Sequence, residues 1–447
     1  MNLLYIHTHD TGRWIEPYGC PVRTPNLMRL AGEGTIFRQC FSAAPTCSPS
    51  RAALMTSMPA HSTGMLGLAH RGFRLADARL HVANLLRRHG YETVLCGIQH
   101  EAERAEDLPY SRIVSADSIE MGRFTEYDGE AWKACDRANT AAALEYLKSA
   151  RSPFFLSLGL FNTHRPFPMP ARAEDADWIR PPETVRDTAE SRLDMLGYHA
   201  SAAVMDECVG RVLDALCQTG REGDTIVIFS TDHGPAFPFM KCSLRDDGIG
   251  VALLLRYPGN ARPGRAIDAM VSQLDLLPTL FELLGLPRPT QFQGTSLVPL
   301  LEGRAKRVRE ELFAEVTYHA AYEPLRCVRT ERYKYIQRFD AEHTRPVPAN
   351  VDDCPGKDLL VRAGWLEGEL PREELYDLDL DPRERVNLAA DPVRRTVRAE
   401  LAGRLERWMR STGDPLLAGP VPLPPGAIAN RRSCLSPGTP DFDHGGE

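Results

Sequence analysis

The ten residues "TIVIFSTDHG" (225–234) join an unbroken apolar run to a polar ending. A strand without polar interruptions is buried on both faces, which is typical of a parallel sheet covered by helices. The segment before it predicts one of those helices, because its apolar residues fall on a single helical stripe. The stripe consists of Met205, Cys208, Val209, Val212, Leu213 and Leu216.

Four further runs have the same apolar character and alternate with helix-patterned segments. They cover residues 2–7, 92–97, 153–161 and 251–258, and another helix is predicted over 273–284. This alternation predicts an α/β fold with a large, mainly parallel sheet flanked by helices.

The pattern changes after residues 294–307. Strands and turns are predicted over 311–318, 327–336 and 373–382, with a long loop over 341–371, a last helix over 392–409 and an irregular tail after Asp414. We therefore expect a catalytic domain over 1–304 and a smaller α+β subdomain with a small antiparallel sheet over 305–447.

Charge and composition exclude some classes of partner. The net charge of −7 argues against a nucleic-acid binder that works through bulk positive charge. No run reaches the length of a membrane span, and no leader-type pattern follows Met1. The eleven cysteines are odd in number and scattered, so we expect reduced thiols and a cytoplasmic location.

Polar residues follow four of the predicted strands. In an open α/β sheet, ligands bind beyond the carboxyl ends of the strands. Any one of these residues alone is read as a polar loop residue, but the set favours a metal or acid–base site. The set comprises His9, Asp10, His100, His164, Asp232 and His233. Asp10, Asp232 and His233 are the best ligand candidates, with His9 behind them, and the mixture of carboxylate and imidazole favours manganese or zinc.

The stretch "PTCSPSRAALMTSM" (45–58) predicts a helix with Ser48 as N-cap and Pro49 at the first helical position. Cys47 then lies just ahead of a helix N-terminus, where backbone N–H groups favour an anion, and Arg51 can reach the same anion. The alternative is a buried thiol before an ordinary capped helix.

These residues resemble a known family. "CSPSR" (47–51) has the C-x-P-x-R form of the formylglycine-dependent sulfatases of the alkaline phosphatase superfamily. "HDTGR" (9–13), "STDHG" (230–234) and the lysine-bearing "MKCSLRDDGIG" (240–250) resemble further family segments in the right order. The likeness covers nearly the whole chain and is nearest to the N-sulfoglucosamine sulfohydrolase (sulfamidase) branch.

The resemblance implies an alkaline-phosphatase-like fold and a sulfate-ester or sulfamate hydrolase. Cys47 would be oxidised to formylglycine by a maturation enzyme, and would then be the nucleophile and a metal ligand. One hydroxyl of the hydrated aldehyde attacks sulfur, and the other allows the aldehyde to re-form and sulfate to leave. The metal would be one divalent ion, calcium by family default, held also by Asp10, Asp232, His233 and His9.

The resemblance also implies roles for other side chains. Arg51 would steady the hydrated aldehyde, while His100, His164 and Lys241 would line the sulfate site and assist proton transfer. His164 is favoured as the proton donor, and His319 is predicted to reach the pocket from the second domain. The alternative interpretation, without the family resemblance, is that Lys241 is a surface lysine and His164 a turn residue.

Three residues depart from the family pattern. His9 replaces an aspartate, His233 stands where many members have asparagine, and Ile98 replaces a lysine. The histidines put calcium in doubt, and the isoleucine puts the transferred anion in doubt. The alternative function is therefore a phosphonate monoester or phosphodiester hydrolase, and a third is a non-enzymatic binding protein. The substrate is expected to be a small sulfated or phosphonylated anion, and a homo-oligomer is left open.

Overall fold

The computed structural model describes residues 1–116, 126–151 and 153–446. The strands in these residues are β1 (Asn2–Thr8), β2 (Thr35–Phe41), β3 (Glu92–Gly97), β4 (Arg112–Ile113), β5 (Phe154–Gly159), β6 (Thr225–Thr231), β7 (Gly250–Val251), β8 (Leu253–Arg256), β9 (Arg265–Ser272), β10 (Glu311–Tyr318), β11 (Tyr322–Thr330), β12 (Tyr333–Arg338), β13 (Glu373–Asp377), β14 (Ile428–Asn430) and β15 (Phe442–His444). The α-helices are α1 (Pro25–Glu33), α2 (Cys47–Thr56), α3 (Ala60–Thr63), α4 (Val82–Arg87), α5 (Gly129–Ser149), α6 (Ala189–Gln218), α7 (Asp246–Ile249), α8 (Leu276–Leu283), α9 (Val298–Leu301), α10 (Pro355–Arg362) and α11 (Arg395–Thr412).

The central sheet has the order β4-β3-β5-β1-β6-β8-β2-β7, and β9 pairs with β2. The neighbours from β4 to β6 are all parallel, whereas β8 runs antiparallel to β6 and to β2. Ile6 in the middle of β1 lies opposite Leu158 on one side and Phe229 on the other. The predicted α/β class and mainly parallel sheet are confirmed.

Helices cover both faces of this sheet because successive side chains of a buried strand point to opposite faces. Leu4 and Ile6 of β1 pack in one cluster with residues of α5 and α6, including the predicted stripe of α6. Leu3 and Tyr5 pack in a second cluster with residues of α4 and α8.

The four-stranded antiparallel sheet β10-β11-β12-β13 forms a smaller layer. One of its faces packs against α11, through contacts such as those of Tyr335 with the cluster that holds Leu405. Its other face, including Cys327, shares a cluster with Phe41 and Ile249 from the region of the central sheet. The smaller sheet begins after the predicted division at residue 304, and that division stays a prediction.

Four parts of the sequence differ from their predicted structure. The predicted loop over 341–371 contains α10, which has Pro355 in its first turn, where a proline needs no N–H partner. The tail that was expected to be irregular contains the short hairpin β14–β15. Strands β2 and β9 were not identified as strands. Among the described residues, no helix is long and apolar enough to cross a membrane.

Candidate active site

Four adjacent parallel strands, β3, β5, β1 and β6, end at one edge of the sheet. The chain turns into a polar segment after each of them, so the predicted site residues are brought together there. His9, Asp10, Asp232 and His233 are fully or almost fully buried, and His100 and His164 lie beside them with less than a tenth of their surface exposed.

A compact group of ligand-type atoms lies at this edge. One atom from each of His9, Asp10, Cys47 and Asp232 lies within 4.8 Å of all the others. His233 Nε2 adds a fifth, at 3.4 Å from Asp10 Oδ1 and 3.6 Å from Asp232 Oδ2. Such a concentration of carboxylates and imidazoles matches the donor set of a divalent cation.

Several of these atoms have no hydrogen-bond partner among the described residues, although they are buried. They are both ring nitrogens of His9 and Oδ1 of Asp10. Because a buried polar atom without a partner is costly, a bound cation would explain their arrangement. The residues present therefore fit the metal that the sequence predicts.

The hydrogen bonds of His233 fix which ring nitrogen faces the group. Nδ1 lies 2.9 Å from the carbonyl oxygen of Gly234, so Nδ1–H donates to that oxygen. Nε2 is then left with its lone pair, and it points at Cys47 Sγ at 3.4 Å. A backbone carbonyl that sets the tautomer in this way is the usual arrangement behind a metal-binding imidazole.

The backbone holds Asp10 and Asp232 against each other. Asp10 has a φ of 53°, which is rare for a residue other than glycine, and its N–H donates to Asp232 Oδ1 at 2.9 Å. The N–H of His233 donates to the same oxygen. Burial would raise the pKa of Asp232, but nearby positive charge, including that of Arg51, holds it below its usual value, so this side chain is a carboxylate.

Cys47 is the first residue of α2 rather than the residue ahead of it. The helix begins after Thr46, and Ser48 Oγ accepts from the N–H of Ala69 instead of capping the helix. The predicted cap at Ser48 is therefore wrong by two positions, because a contact with a distant loop uses that hydroxyl. Burial raises the pKa of the Cys47 thiol well above its usual value.

Arg51 is held by a residue that the sequence reasoning missed. One guanidinium nitrogen lies 2.6 Å from His7 Nδ1, and the other donates to the carbonyl of Thr8 at 2.8 Å and to Asp232 at 3.0 Å. Since a guanidinium only donates, His7 Nδ1 accepts and its Nε2–H faces Ser157 Oγ at 3.2 Å. His7 lies inside an apolar strand, so its polar side chain is the only feature of the sequence that could have indicated this role.

Lys241 bridges two carboxylates. Its Nζ lies 2.9 Å from Asp10 Oδ2 and 3.1 Å from Asp352 Oδ2. Burial works against the charged form, but Asp10 and Asp352 hold the pKa of Lys241 well above its usual value. The reading of Lys241 as a surface residue is thus wrong, and Asp352 is a second residue that the sequence reasoning missed, because it comes from a distant loop.

The predicted histidines surround this lysine. His164 donates from Nδ1 to the carbonyl of Arg165 at 2.5 Å, and its Nε2 lies 3.4 Å from Lys241 Nζ. His100 Nε2 pairs with Nδ1 of His70 at 2.8 Å, which adds a histidine that was not predicted. His319 is buried as well, and its Nδ1 has no hydrogen-bond partner in the part of the chain that the structure describes.

A cavity of about 930 Å³ opens above these groups. Cys47, His100, His164, Lys241 and His319 all line it. Ile98, which replaces the lysine of the family pattern, does not: it packs in a buried cluster with Trp132 and Phe161. The site therefore brings together, at the edge of one cavity, a buried group of side chains suited to bind a metal, a helix N-terminus and a positively charged lysine.

The family model described as "Sulfatase" matches residues 2–286, and the model "N-sulphoglucosamine sulphohydrolase, C-terminal" matches residues 235–346. An ulvan-active sulfatase from Formosa agariphila is 27% identical over 95% of this chain and 82% of its own. The human N-sulphoglucosamine sulphohydrolase is 28% identical over 89% of this chain and 88% of its own. The solved structure of a 2-O GAG sulfatase superposes with a TM-score of 0.72 at 23% identity, covering 93% of each chain. The chain therefore belongs to the sulfatase family, whose members here are hydrolases of sulfate esters or sulfamates.

Proposed function

We propose that this protein hydrolyses sulfate esters or sulfamates with a formylglycine made from Cys47 as its nucleophile and a divalent cation held beside it. The observation that carries the proposal is the position of Cys47. Its Sγ lies 3.4 Å from His233 Nε2, within the group of ligand atoms and on the lining of the cavity.

The unmodified thiol is poorly suited to this task. Burial raises the pKa of the thiol, so little thiolate forms near neutral pH. A sulfated cysteine also lacks the second hydroxyl that a formylglycine hydrate uses to expel sulfate. A formylglycine hydrate supplies both a nucleophilic hydroxyl and a second hydroxyl for release of the product. The residues that would hold the metal are Asp10, Asp232, His233 and His9, and a bound divalent cation supplies Lewis acidity there.

The protein's own side chains would bind the anion and move the proton. Lys241 keeps a positive charge at the cavity, so it would stabilise the charge that develops on the transferred group. Arg51 makes hydrogen bonds to Asp232 and His7. We therefore propose that it orients the carboxylate of Asp232 toward the metal as well as steadying residue 47. His100, His164 and His319 complete the anion site, with His164 or Lys241 as proton donor.

The nature of the ligands favours manganese or zinc over calcium. Within residues 1–116, 126–151 and 153–446, neither ring nitrogen of His9 has a hydrogen-bond partner, and Nδ1 lies 3.5 Å from Asp232 Oδ2. Imidazole donors suit these softer metals better than calcium. Activity of the chelated protein refilled with each metal in turn tests this preference, and His9→Asp should move it toward calcium.

We also propose maturation by a formylglycine-generating enzyme in a reducing compartment, with the cytoplasm as the expected location. Each of the eleven cysteines is unpaired, and ten of them are at least partly buried. Reduced thiols of this kind are usual in the cytosol. The domain division at residue 304 also remains a proposal.

The experiment compares three substrates on modified, metal-loaded protein: 4-nitrophenyl sulfate, a sulfamate and a phenylphosphonate monoester. We expect turnover of the sulfate or the sulfamate to exceed turnover of the phosphonate. Faster hydrolysis of the phosphonate would favour the alternative function. Absence of turnover for all three would favour a non-enzymatic binding protein.

A further inference from the structure

The cavity beside Cys47 has an apolar part that the proposed chemistry does not use. Hydrocarbon side chains from three separate segments line it: Phe167, Met169, Leu193, Ile428, Pro437 and Phe442. The first two follow β5, Leu193 lies on α6, and the others come from the C-terminal residues. Because the sulfuryl group must lie next to residue 47, the group from which it is cleaved must extend among these side chains.

The size and exposure of this part fit a ligand. The volume of the whole cavity, about 930 Å³, is far larger than a sulfate group needs and is typical of sites for organic molecules. Met169 is 73% exposed and Leu193 is 39% exposed, although both are large and apolar. These two exposed side chains lie at one concave site with the partly buried Phe167, Ile428 and Phe442, which marks a binding surface rather than the scattered exposure of single residues.

Two arginines of the wall already have partners within the protein. Arg165 donates to both oxygens of Asp194 at 2.6 Å, and its guanidinium lies 4.4 Å from the ring centroid of Phe167. Arg71 donates to Asn430 Oδ1 at 2.8 Å. Beside Phe167, Leu193 and Phe442, a sugar ring would bring hydroxyl groups against hydrocarbon and against arginines that already have partners, and burying hydroxyl groups without hydrogen bonds is unfavourable.

Resting on the proposed function, we propose that the substrates are organic sulfates with an apolar leaving group, an alkyl or aryl alcohol, rather than sulfated sugars. Hydrolysis breaks the bond between sulfur and the ester oxygen. The elements of water are divided between the products, so that the alcohol gains a proton and sulfate gains the remaining oxygen and proton. The leaving alcohol would stay among Phe167, Leu193 and Phe442 until release.

The test measures kcat/KM of the modified, metal-loaded protein for n-alkyl sulfates from butyl to octyl and for glucose 6-sulfate. Leaving-group acidity is nearly constant along the alkyl series, so a trend reports apolar contact. We expect kcat/KM to rise about fourfold for each added methylene until the cavity is filled. Glucose 6-sulfate should be slower than butyl sulfate.

A flat alkyl series with measurable turnover, or faster hydrolysis of glucose 6-sulfate than of butyl sulfate, would overturn this inference and leave the proposed function standing. Absence of turnover for every ester, 4-nitrophenyl sulfate included, would overturn the proposed function and this inference with it.

Two variants test whether the apolar wall at Leu193 causes the preference for longer alkyl chains. Leu193→Asn should lower the ratio of octyl to butyl kcat/KM by about threefold or more, since it removes apolar contact from the wall. Leu417→Asn is the matched control, because Leu417 is 44% exposed and does not line the cavity. It should leave the ratio unchanged. An unchanged ratio in Leu193→Asn would contradict the assignment of this wall.

Discussion

At the scale of single residues, the side chains at the strand ends depend on partners from other parts of the fold. Asp10, His164 and Asp232 follow apolar runs, so their types and positions point to one site. His7 and Asp352 gave no such signal. His7 lies within a strand, and Asp352 reaches Lys241 from a loop more than a hundred residues away in the sequence. Such long-range partners follow from tertiary packing and leave no local pattern.

Asp232→Asn should reduce bound metal and activity together. The amide keeps the shape of the side chain and can accept the N–H groups of Asp10 and His233, but it lacks the charge that the cation needs. We expect the loss of metal affinity to exceed the roughly 10–100-fold that removal of an outer hydrogen-bond partner costs. Elemental analysis after dialysis measures it.

Asp352→Asn is the control for that variant. It changes a carboxylate at the same cavity that pairs with Lys241 rather than with the ligand group. It should keep its metal. Retention of metal by Asp232→Asn, or equal loss in both variants, would contradict the assignment of Asp232.

His164→Ala should slow poor leaving groups more than good ones if His164 delivers the proton. Its Nδ1 is committed to the carbonyl of Arg165, so a proton at Nε2 would come from Lys241, 3.4 Å away. We expect the variant to lose roughly a hundredfold with an alkyl sulfate and much less with 4-nitrophenyl sulfate, whose leaving group departs unaided.

His319→Ala provides the comparison, because His319 lines the same cavity. This variant should lower the turnover rates of both substrates by similar factors. Equal losses for the two substrates in His164→Ala would leave His164 as an anion-binding residue and give the donor role to Lys241.

At the scale of elements, the strands that are buried on both faces were predicted more closely than the partly solvated strands. Strands β3 and β6 were predicted within a residue of their ends, because both of their faces are buried and the run is continuous. Strand β9 alternates exposed and buried residues in its first half, and β2 is interrupted by Arg38 and Gln39. Partly solvated strands of this kind lack the uninterrupted apolar signal.

Helix α3 is tied to β10 by a buried ion network. His61 Nδ1 donates to Glu315 at 2.9 Å, and Arg326 lies 3.3 Å from the same carboxylate and 2.6 Å from Asp414. Burial works to raise the pKa of Glu315, but His61 and Arg326 lower it to about 2. The stability that this carboxylate adds is therefore complete above its unfolded-state pKa of about 4.3 and is lost as the pH falls toward 2.

Glu315→Gln should lower the free energy of unfolding at pH 7 by about 3 kcal/mol, as expected when one partner of a buried ionic network is removed. Urea denaturation measures the difference, which should narrow below about pH 4.3. Glu406→Gln, in an exposed pair with Arg410, should change stability by less than about 0.5 kcal/mol. A difference for Glu315→Gln that is independent of pH would contradict this account.

At the scale of the whole molecule, one site is assembled from distant parts of the chain. The central sheet supplies the metal-type residues, α2 supplies Cys47, and residues near the C terminus, such as Phe442, complete the cavity wall. The family resemblance covers this order of segments, and the matched family models confirm it. The apolar lining is a property of the assembled cavity that no single motif carried.

The central claim is that residue 47 acts as formylglycine. The most direct measurement produces the protein with graded amounts of a formylglycine-generating enzyme, determines the aldehyde fraction at position 47 by peptide mass spectrometry, and measures turnover of 4-nitrophenyl sulfate on the same metal-loaded samples. We predict that turnover per molecule rises in proportion to the aldehyde fraction and is absent at zero conversion, as it is in folded Cys47→Ala. Full turnover by protein with unmodified Cys47, or by Cys47→Ala, would contradict the account.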